Sequence, residues 1–444
     1  MLTFVAPLIA YLMSFPIMLI TLFRVEIGIL FFITLVPIIA VMKKIAEFPG
    51  GNNFADYLLI SLIIGWVFKA GKEGRGIFKS SPINAVVILM VIGSAINLIR
   101  GYTYMTLPAD INLARLMAWK NYMILPLLYF IAINNINKEN MVKWLVVCVC
   151  LTMLAMDFNF YSTFKWLRME HYSDSIRISG PFSFLGPNEL GIFYAMYTFL
   201  LLGISYFIED KKIRYLVLFV CACNCYPILY SYSRAAYSCT IAGLLVLGLL
   251  KDRRILVFLI ILIFFYRLLL PSSVVERINM TFLDKTEVSE EQIQSSVVDI
   301  GSVSLDTVGR KQLWEKAIDY FRQQPLLGIG FDTFRHREGM ITHSMFLKIL
   351  AEQGCIGIFI FIMFTITILS QSYKLFRRSS IELGRGIGLG LFTCVIVSLV
   401  GSTVGDQSLY YNLMAIYWLF IGIVASFNTH YVDNIEHTQE VWHG

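Results

Sequence analysis

The side chains best suited to chemistry in this sequence are two arginines and one histidine that lie between apolar segments. Arg234 lies within 230–237 (YSYSRAAY), between two hydrocarbon-like runs, where an ionisable residue is a functional candidate. Arg310 falls near the start of a helical pattern, where a bound anion would offset the unfavourable helix dipole. His343 precedes a long apolar run, and near a helix start its ring should stay neutral and able to accept a proton.

Each of these residues also has an ordinary structural interpretation. Arg234 could anchor the chain at the membrane interface, Arg310 could be a solvated surface residue, and a lone histidine is usually structural. The serines and tyrosines that flank Arg234 favour a polar pocket over a lipid-facing position. The residue types therefore favour an anion site but do not exclude these structural roles.

Four further residues are possible accessory groups of such a site. Arg177 and Asn188 flank the end of the polar loop 161–186, and Asn188 could equally cap the following helix, whose first turn suits Pro187. Arg335 and His336 belong to a basic group that could bind either the anion or lipid headgroups.

Several other kinds of site are excluded or disfavoured. The chain lacks a phosphate loop of the form GxxxxGK[ST], the HExxH zinc motif and a nucleophile elbow. The acidic stretch from Asp284 to Asp306 lacks the spacing of a calcium loop, so we expect a flexible solvated segment. The eight cysteines lie in or beside apolar runs, which favours buried free thiols. The scattered net charge of +6 gives no sign of nucleic-acid binding.

The composition predicts a polytopic membrane protein. Of 444 residues, 57% are hydrophobic and 15% charged, against about 25% charged in soluble domains. A spanning helix needs about 20 mostly apolar residues, and 12 or 13 runs qualify, depending on whether residues 1–42 form one or two spans. The runs are 4–22, 25–42, 55–68, 83–99, 118–134, 141–160, 187–208, 213–231, 233–250, 255–271, 345–371, 386–404 and 408–427. The first forty residues show no cleavage site of a signal peptide.

The orientation follows from lysines and arginines in short loops, which favour the cytoplasmic side. Four basic loops fall on one side when the runs alternate, and Lys43 and Lys44 are the exception. The loops are 69–79, 211–214, 251–254 and 374–385. The loop 161–186 and the long segment 272–342 then face outward.

The long outward segment contains an amphipathic helix from about Gly309. Leu313, Trp314 and Ala317 recur at helical spacing with charged residues opposite, so the helix should lie on the membrane surface or cap the bundle. Pro325 should end it, and a turn-rich connection containing glycines should follow.

The order of short motifs in the second half resembles the O-antigen ligase and O-antigen polymerase superfamily of membrane glycosyltransferases. The motifs are Ser-Arg-Ala at 233–235, Gly309-Arg310 with Leu313-Trp314, Pro325-Leu-Leu-Gly-Ile-Gly330, and His343 followed by Phe346-Leu347, Leu350-Ala-Glu352-Gln-Gly354 and Gly357. The resemblance runs from about Arg177 to Gly357, whereas the first half matches only in hydropathy. Ser344 departs from the pattern, because the family often has Asn after the histidine.

This resemblance implies a single membrane-embedded transferase domain over 1–444, with the C-type multi-spanning fold and 272–342 as its extracytoplasmic (periplasmic) loop. A glycan would move from undecaprenyl pyrophosphate to an acceptor hydroxyl on the outer face of the bacterial cytoplasmic membrane. Arg234 and Arg310 would bind the pyrophosphate, and His343 would activate the acceptor or contact the diphosphate. The family likeness implies no metal or other cofactor, and direct displacement implies inversion.

The sequence does not identify the acceptor. A polymerase would join lipid-linked repeat units of an O-antigen, capsule or exopolysaccharide, whereas a ligase would use lipid A-core or another hydroxyl. A transporter or flippase for a lipid-linked glycan is a different alternative, which predicts paired half-repeats and charges near the bilayer midplane. No such repeat is obvious, and a structural scaffold leaves Arg234 unexplained.

Overall fold

The computed structural model describes residues 2–39, 42–104, 108–164, 172, 176–180, 186–280 and 307–433, and within these ranges it contains helices and no strands. The helices are α1 Leu2–Phe23, α2 Val25–Ile38, α3 Phe54–Lys72, α4 Pro82–Tyr104, α5 Ala109–Asn135, α6 Glu139–Phe164, α7 Pro187–Ser205, α8 Lys211–Tyr230, α9 Arg234–Leu250, α10 Arg254–Phe264, α11 Tyr266–Leu269, α12 Ser272–Asn279, α13 Thr307–Gln323, α14 Thr333–Glu338, α15 Met345–Arg378, α16 Glu382–Ser402 and α17 Tyr411–Asn428. Short 3₁₀ helices cover Lys43–Glu47, Gly51–Asn53 and Gln407–Leu409, and a π-helical turn covers Thr429–Asp433.

The all-α polytopic membrane fold is confirmed. Among the described residues, 10 helices are long and apolar enough to cross a membrane, and α2, α9 and α10 are shorter apolar helices. Together they correspond to the apolar runs of the sequence. The largest difference lies in α5, which begins at Ala109 rather than near residue 118.

The first two helices form a hairpin, not one broken span. Tyr11, in the first half of α1, donates a hydrogen bond to the carbonyl of Pro49, just before α3 begins (2.7 Å). Glu26, at the start of α2, pairs with Lys69 near the end of α3. Hence α1 runs parallel to α3 and α2 runs against it, so the chain reverses direction at Arg24.

The core of the bundle is built from α7, α16 and α17. In the most apolar windows of α7 and α17, 89% of residues are buried within the protein, against 17% for α1. Gly203 of α7 and Gly390 of α16 lie so close that a Cβ on Gly203 would approach the Gly390 Cα to 2.4 Å. Small residues allow two helix backbones to come this close. In a bilayer the lipid tails are as apolar as the helices, so such close packing helps to hold the helices together. The rigid α7 therefore provides a fixed start at Pro187.

The connections divide the bundle into two ends. The predicted basic loops join α3 to α4, α7 to α8, α9 to α10 and α15 to α16. Because consecutive helices reverse direction, these loops lie at one end, which we call the basic end. The opposite end, called the site end, carries the starts of α7, α9 and α15 together with α12, α13 and α14.

The amphipathic helix α13 caps the site end. Leu313 and Ala317 are buried on its inner face, where it packs against α15. It ends at Gln323, just before Pro325, as the sequence predicts. Its inner face therefore fixes which α13 residues point into the protein.

The motif that ends at Gly330 is hydrogen-bonded to the motif that ends at Gly354, next to α13. Gly354 adopts φ +63° within α15 and breaks its regular hydrogen bonding. The backbone N–H groups of Ile329 and Gly330 donate to the carbonyls of Ala351 (3.0 Å) and Glu352 (2.9 Å) in this broken turn. The glycines of the two motifs thus allow one backbone segment to pair with another.

Two of the sequence expectations need qualification. The predicted acidic loop from Asp284 to Asp306, most of 165–185 and the tail beyond 433 lie outside the described residues. All eight cysteines are free, but Cys225 and Cys355 are exposed, so the expectation of buried thiols is wrong for these two.

Candidate functional site

Four helix starts lie close together at the site end: those of α7, α9, α13 and α15. Asn188 of α7 is hydrogen-bonded to Ser233 just before α9, and Trp314 of α13 is hydrogen-bonded to Thr342 just before α15. The Glu189 carboxylate of α7 acts electrostatically on Arg310 of α13. A helix N-terminus has free backbone N–H groups and a partial positive charge. A group of such starts favours an anion before any side chain is considered.

Asn188, in the first turn of α7, links Arg177 to the start of α9. Its side-chain oxygen accepts hydrogen bonds from Arg177 Nη2 (2.9 Å) and Ser233 Oγ (2.9 Å). Ser233 Oγ also accepts from the backbone N–H of Ala236 (3.2 Å) and so caps α9. Asn188 makes no capping bond to its own helix, so the alternative that it serves as a cap is wrong. Arg177 is consequently held near Ser233, and the exposed Arg234 follows as the first residue of α9.

A further arginine lies in this region, Arg277 of α12, which none of the sequence motifs includes. Its Nε donates to the carbonyl of Tyr232 (3.3 Å), and its guanidinium lies over the Tyr172 ring at 4.6 Å. Tyr232 is buried and has φ +49°, a strained value for a tyrosine. The available signal was an arginine in a short amphipathic stretch next to the acidic segment.

Arg310 lies in the first turn of α13, on the same face as the buried Leu313. Its Nε is buried and has no hydrogen-bond partner among the described residues. Burial lowers the pKa of Arg310; the Glu189 carboxylate opposes this change, and the positive charges of Arg234 and Arg277 add to it. Two further guanidinium groups and the Glu189 carboxylate therefore act on Arg310.

His343 lies next to Arg310 and has a constrained backbone. It precedes α15 and adopts φ +53°, which is uncommon for a residue other than glycine. The carbonyl of Thr342 accepts a hydrogen bond from Trp314 Nε1 (3.0 Å), and Thr342 Oγ1 donates to the Ser344 carbonyl (2.9 Å). These bonds hold the turn that aims the histidine.

The His343 ring is neutral at ordinary pH. Burial lowers its pKa to about 4, and the charge of Arg310 adds to the effect. Burial and a neighbouring cation, rather than the helix start predicted from the sequence, cause the neutrality of the ring. A neutral imidazole beside a cation can accept a proton from a hydroxyl group. We refer to Arg177, Arg234, Arg277, Arg310 and His343 together as the arginine cluster.

Arg335 and His336 do not lie in the arginine cluster. His336 Nε2 lies 3.5 Å from an oxygen of Asp332, and Lys348 Nζ lies 3.5 Å from the other. Burial lowers the pKa of His336, and Asp332 opposes this change. Arg335 is exposed and lines a cavity of about 350 Å³ beside this group. The prediction that these two residues accompany Arg310 is therefore not supported by their positions.

Asp332 belongs to a buried set of charges, which we call the lysine–carboxylate cluster: Asp332, Lys348 and Glu352. The Glu352 carboxylate accepts from the backbone N–H groups of Asp332 (3.0 Å) and Phe334 (3.2 Å), at the start of α14. All three charged side chains are nearly inaccessible. Nearby Asp406 is also buried, its carboxylate has no hydrogen-bond partner among the described residues, and burial raises its pKa.

The comparison with known families bears on the same region. Residues 216–362, from within α8 to within α15, match the family described as O-antigen ligase. The chain carries an O-antigen ligase region. It includes Arg234, Arg310 and His343, so the resemblance seen in the sequence is confirmed at the level of the family. No curated protein matches the chain.

The family identifies the general type of function. O-antigen ligases act in glycan biosynthesis by a glycosyltransferase-like reaction between a lipid-linked glycan and a glycan acceptor in a membrane. Arg177, Asn188 and Glu189 lie outside the matched segment. The start of α7 therefore contacts the matched segment from outside it, through the hydrogen bond between Asn188 and Ser233.

Proposed function

We propose that this protein moves a glycan from an undecaprenyl-pyrophosphate-linked donor to an acceptor hydroxyl at the outer face of the cytoplasmic membrane. It would act as a repeat-unit polymerase or an O-antigen ligase in surface polysaccharide biosynthesis. The observation that carries the proposal is Arg310: its buried Nε has no hydrogen-bond partner among the described residues, and the charges of Arg234 and Arg277 and the neutral His343 lie in the same region.

The arginine cluster suits a diphosphate. A guanidinium group binds phosphate oxygens through two parallel N–H groups, which a lysine cannot do. Arg310 and Arg234 are assigned to the diphosphate, with Arg277 adding positive charge. Arg177 orients the start of α9 through Asn188. Because these guanidinium groups are part of the folded site, they are in place when charge develops on the leaving group.

His343 is assigned as the general base. The acceptor oxygen attacks the anomeric carbon while the bond from that carbon to the diphosphate oxygen breaks. The bonding electrons pass to the diphosphate, and the hydroxyl proton passes to the imidazole. One displacement from the face opposite the leaving group inverts the anomeric configuration. The arginines supply charge stabilisation that metal ions supply in other phosphate sites.

The basic end is assigned to the cytoplasm and the site end to the outside. The basic loops support this orientation through the preference of lysine and arginine for the cytoplasmic side. The donor diphosphate would then meet α13 at the outer surface, where the polyprenyl chain can stay in the bilayer. The segment 272–342 would form the extracytoplasmic part of a single transferase domain.

The experiment uses the full chain in nanodiscs with lipid-linked oligosaccharides extracted from its source cells. Lengthening of the lipid-linked glycan without another acceptor supports a polymerase. A product that forms only when lipid A-core is added supports a ligase. Absence of transfer from both, together with movement of the labelled glycan across a vesicle bilayer, would replace the proposal by a flippase.

The stereochemistry of the product gives a separate check. Comparison of the anomeric configuration in the donor and the new linkage by NMR should show inversion. Retention would contradict direct displacement and would require a covalent intermediate.

A further inference from the structure

A cavity of about 350 Å³ opens beside the lysine–carboxylate cluster. Its walls come from α5, from the segment 331–341, from α15 and from the turn that starts α17. Its volume falls at the lower end of the range for small-molecule sites, about 300–1,000 Å³. The cavity is separate from the arginine cluster, none of whose members lines it.

The lining combines aromatic rings with amide groups. Tyr410, Tyr411, Asn121 and Asn412 contribute to the wall. Amides both donate and accept hydrogen bonds, which suits a ligand with several hydroxyl groups. The tyrosine rings add flat apolar surface that can cover the C–H face of a sugar ring. Such a wall is typical of a site for an uncharged polar ring.

Asn412 supplies a specific reason to expect a ligand with hydroxyl donors. It is 8% exposed, and its Oδ1 is buried without a hydrogen-bond partner among the described residues. Buried polar atoms are otherwise satisfied in almost all proteins, because an unpaired one is costly. Asn412 also lines the cavity, so a hydroxyl group bound there is the donor that we assign to its amide.

The charged residues of the wall do not call for a charged ligand. Lys348 and Asp332 both line the cavity, but they lie 3.5 Å apart and neutralise each other. Arg335 is exposed at the wall and remains solvated. The cavity therefore presents hydroxyl-binding groups with little uncompensated buried charge.

The cavity reaches close to the proposed general base. Ile341 lines it, and His343 follows two residues later. Two residues span at most about 7 Å, roughly the size of one sugar ring. On the other side, the turn that begins α17 extends back to Gly405, where a Cβ would lie 3.6 Å from Glu189 Oε1. The same turn thus borders both the cavity and the carboxylate that faces Arg310.

We propose that this cavity binds the sugar unit that carries the acceptor hydroxyl and presents that hydroxyl to His343. The inference rests on the proposed glycosyl transfer and deepens it by assigning the acceptor to a separate site. Asn121 and Asn412 are then specificity-determining residues for the acceptor. The donor occupies the arginine cluster, so changes in the cavity affect acceptor binding alone.

The test measures transfer with whichever acceptor the nanodisc experiment selects, either lipid-linked repeat units or lipid A-core. Asn121→Ala removes an amide from the wall, and Ala118→Phe fills the cavity, since Ala118 also lines it. Lys120→Ala is the matched control, because Lys120 is exposed on the same helix and pairs with Asp56 outside the cavity (2.7 Å). Melting temperature in detergent verifies that each variant is folded.

We expect Asn121→Ala to raise the acceptor KM roughly tenfold, which corresponds to about 1.4 kcal/mol, with the donor KM unchanged. Ala118→Phe should raise the acceptor KM further, and Lys120→Ala should leave it unchanged. Unchanged acceptor KM in folded Asn121→Ala and Ala118→Phe proteins would overturn the cavity assignment. A larger effect on the donor KM would also overturn it. Failure of the unmodified protein to transfer glycan would instead overturn the proposed function.

Discussion

The arginine cluster and the lysine–carboxylate cluster are both groups of ionisable side chains at the site end, but they differ in how their charges are satisfied. Asp332, Lys348 and Glu352 are almost fully buried, and their charges are opposed by one another and by backbone N–H groups. The charges of Arg234, Arg277 and Glu189 act on Arg310, whose Nε has no hydrogen-bond partner within the part of the chain that the structure describes. The first set contains one ammonium group and two carboxylates, whereas the second contains four guanidinium groups and a neutral histidine.

The difference separates residues that hold the fold from residues that await a ligand. A buried ion pair with completed hydrogen bonds maintains one geometry, and removal of one partner leaves a costly charge. An uncompensated group of cations is unfavourable unless an anion binds. We therefore expect substitutions in the arginine cluster to lower transfer and leave stability unchanged, and substitutions in the lysine–carboxylate cluster to lower stability.

The largest expected effect is on transfer by His343→Ala. Loss of a general base should lower kcat about 10²–10⁴-fold while the melting temperature stays close to that of the unmodified protein. His336→Ala is the matched control, because His336 is also partly buried but contacts Asp332 rather than Arg310. Equal loss of transfer in the two variants, measured with labelled lipid-linked glycan, would contradict the assignment of His343.

Arg310→Ala should lower transfer about 10²–10³-fold, as expected for the loss of one group that stabilises developing charge. Arg310→Lys should restore part of it, since a point charge replaces a fork. Removing one of several mutually repelling cations should leave the melting temperature unchanged or higher. Lys311→Ala is the control on the same helix, because Lys311 is exposed. A marked fall in melting temperature for Arg310→Ala would mean that Arg310 is structural.

Lys348→Met should instead destabilise the fold by about 3–5 kcal/mol, the usual effect of removing one partner from a buried ion pair. The removed ammonium leaves Asp332 and Glu352 without their shared cation. The double variant with Asp332→Asn should recover part of the loss, since it removes one of the two remaining charges. Unfolding in detergent measures both variants. Independent, additive losses would show that the two residues are not coupled.

Gly330→Ala tests the segment that joins the two clusters. Gly330 adopts φ +104°, and a Cβ there would lie 2.3 Å from the Gly101 Cα of α4. Gly339 also has positive φ (+72°), but a Cβ there would meet no atom within 4 Å. Gly339→Ala should cost about 1–3 kcal/mol from backbone strain alone, and Gly330→Ala should cost more. Equal melting temperatures for the two variants would show that the close contact between Gly330 and Gly101 adds nothing to the cost of backbone strain.

The smallest expected effect is a change in the titration of His343. Its pKa is about 4 because of burial and, second, Arg310. Arg310→Gln removes the repelling charge, so the pKa should rise but stay below 6.5, since burial remains. The ring is the active base when unprotonated, so activity should fall as the pH drops through its pKa. NMR of labelled histidine measures the titration directly. An unchanged pKa would show that the charge of Arg310 does not act on the His343 ring.

Much of the fold followed from hydropathy, because a run of apolar residues long enough to cross a bilayer has few other stable conformations. The end of α13 before Pro325 and the start of α7 at Pro187 followed from local rules for proline. The separation of α1 from α2 did not follow from the sequence. Only Arg24 lies between the two helices, and one residue does not show that the chain reverses direction there. Packing against α3 decides that reversal.

Residue type and local position alone determined that Arg234, Arg310 and His343 were the candidates for chemistry in an apolar chain. Only the tertiary structure decided which cations accompany them. It placed Arg277 with Arg310 through electrostatic contact and placed Arg335 and His336 beside Asp332. The physical reason is that a local pattern sets which face of a helix is apolar, whereas helix packing sets which distant charges meet.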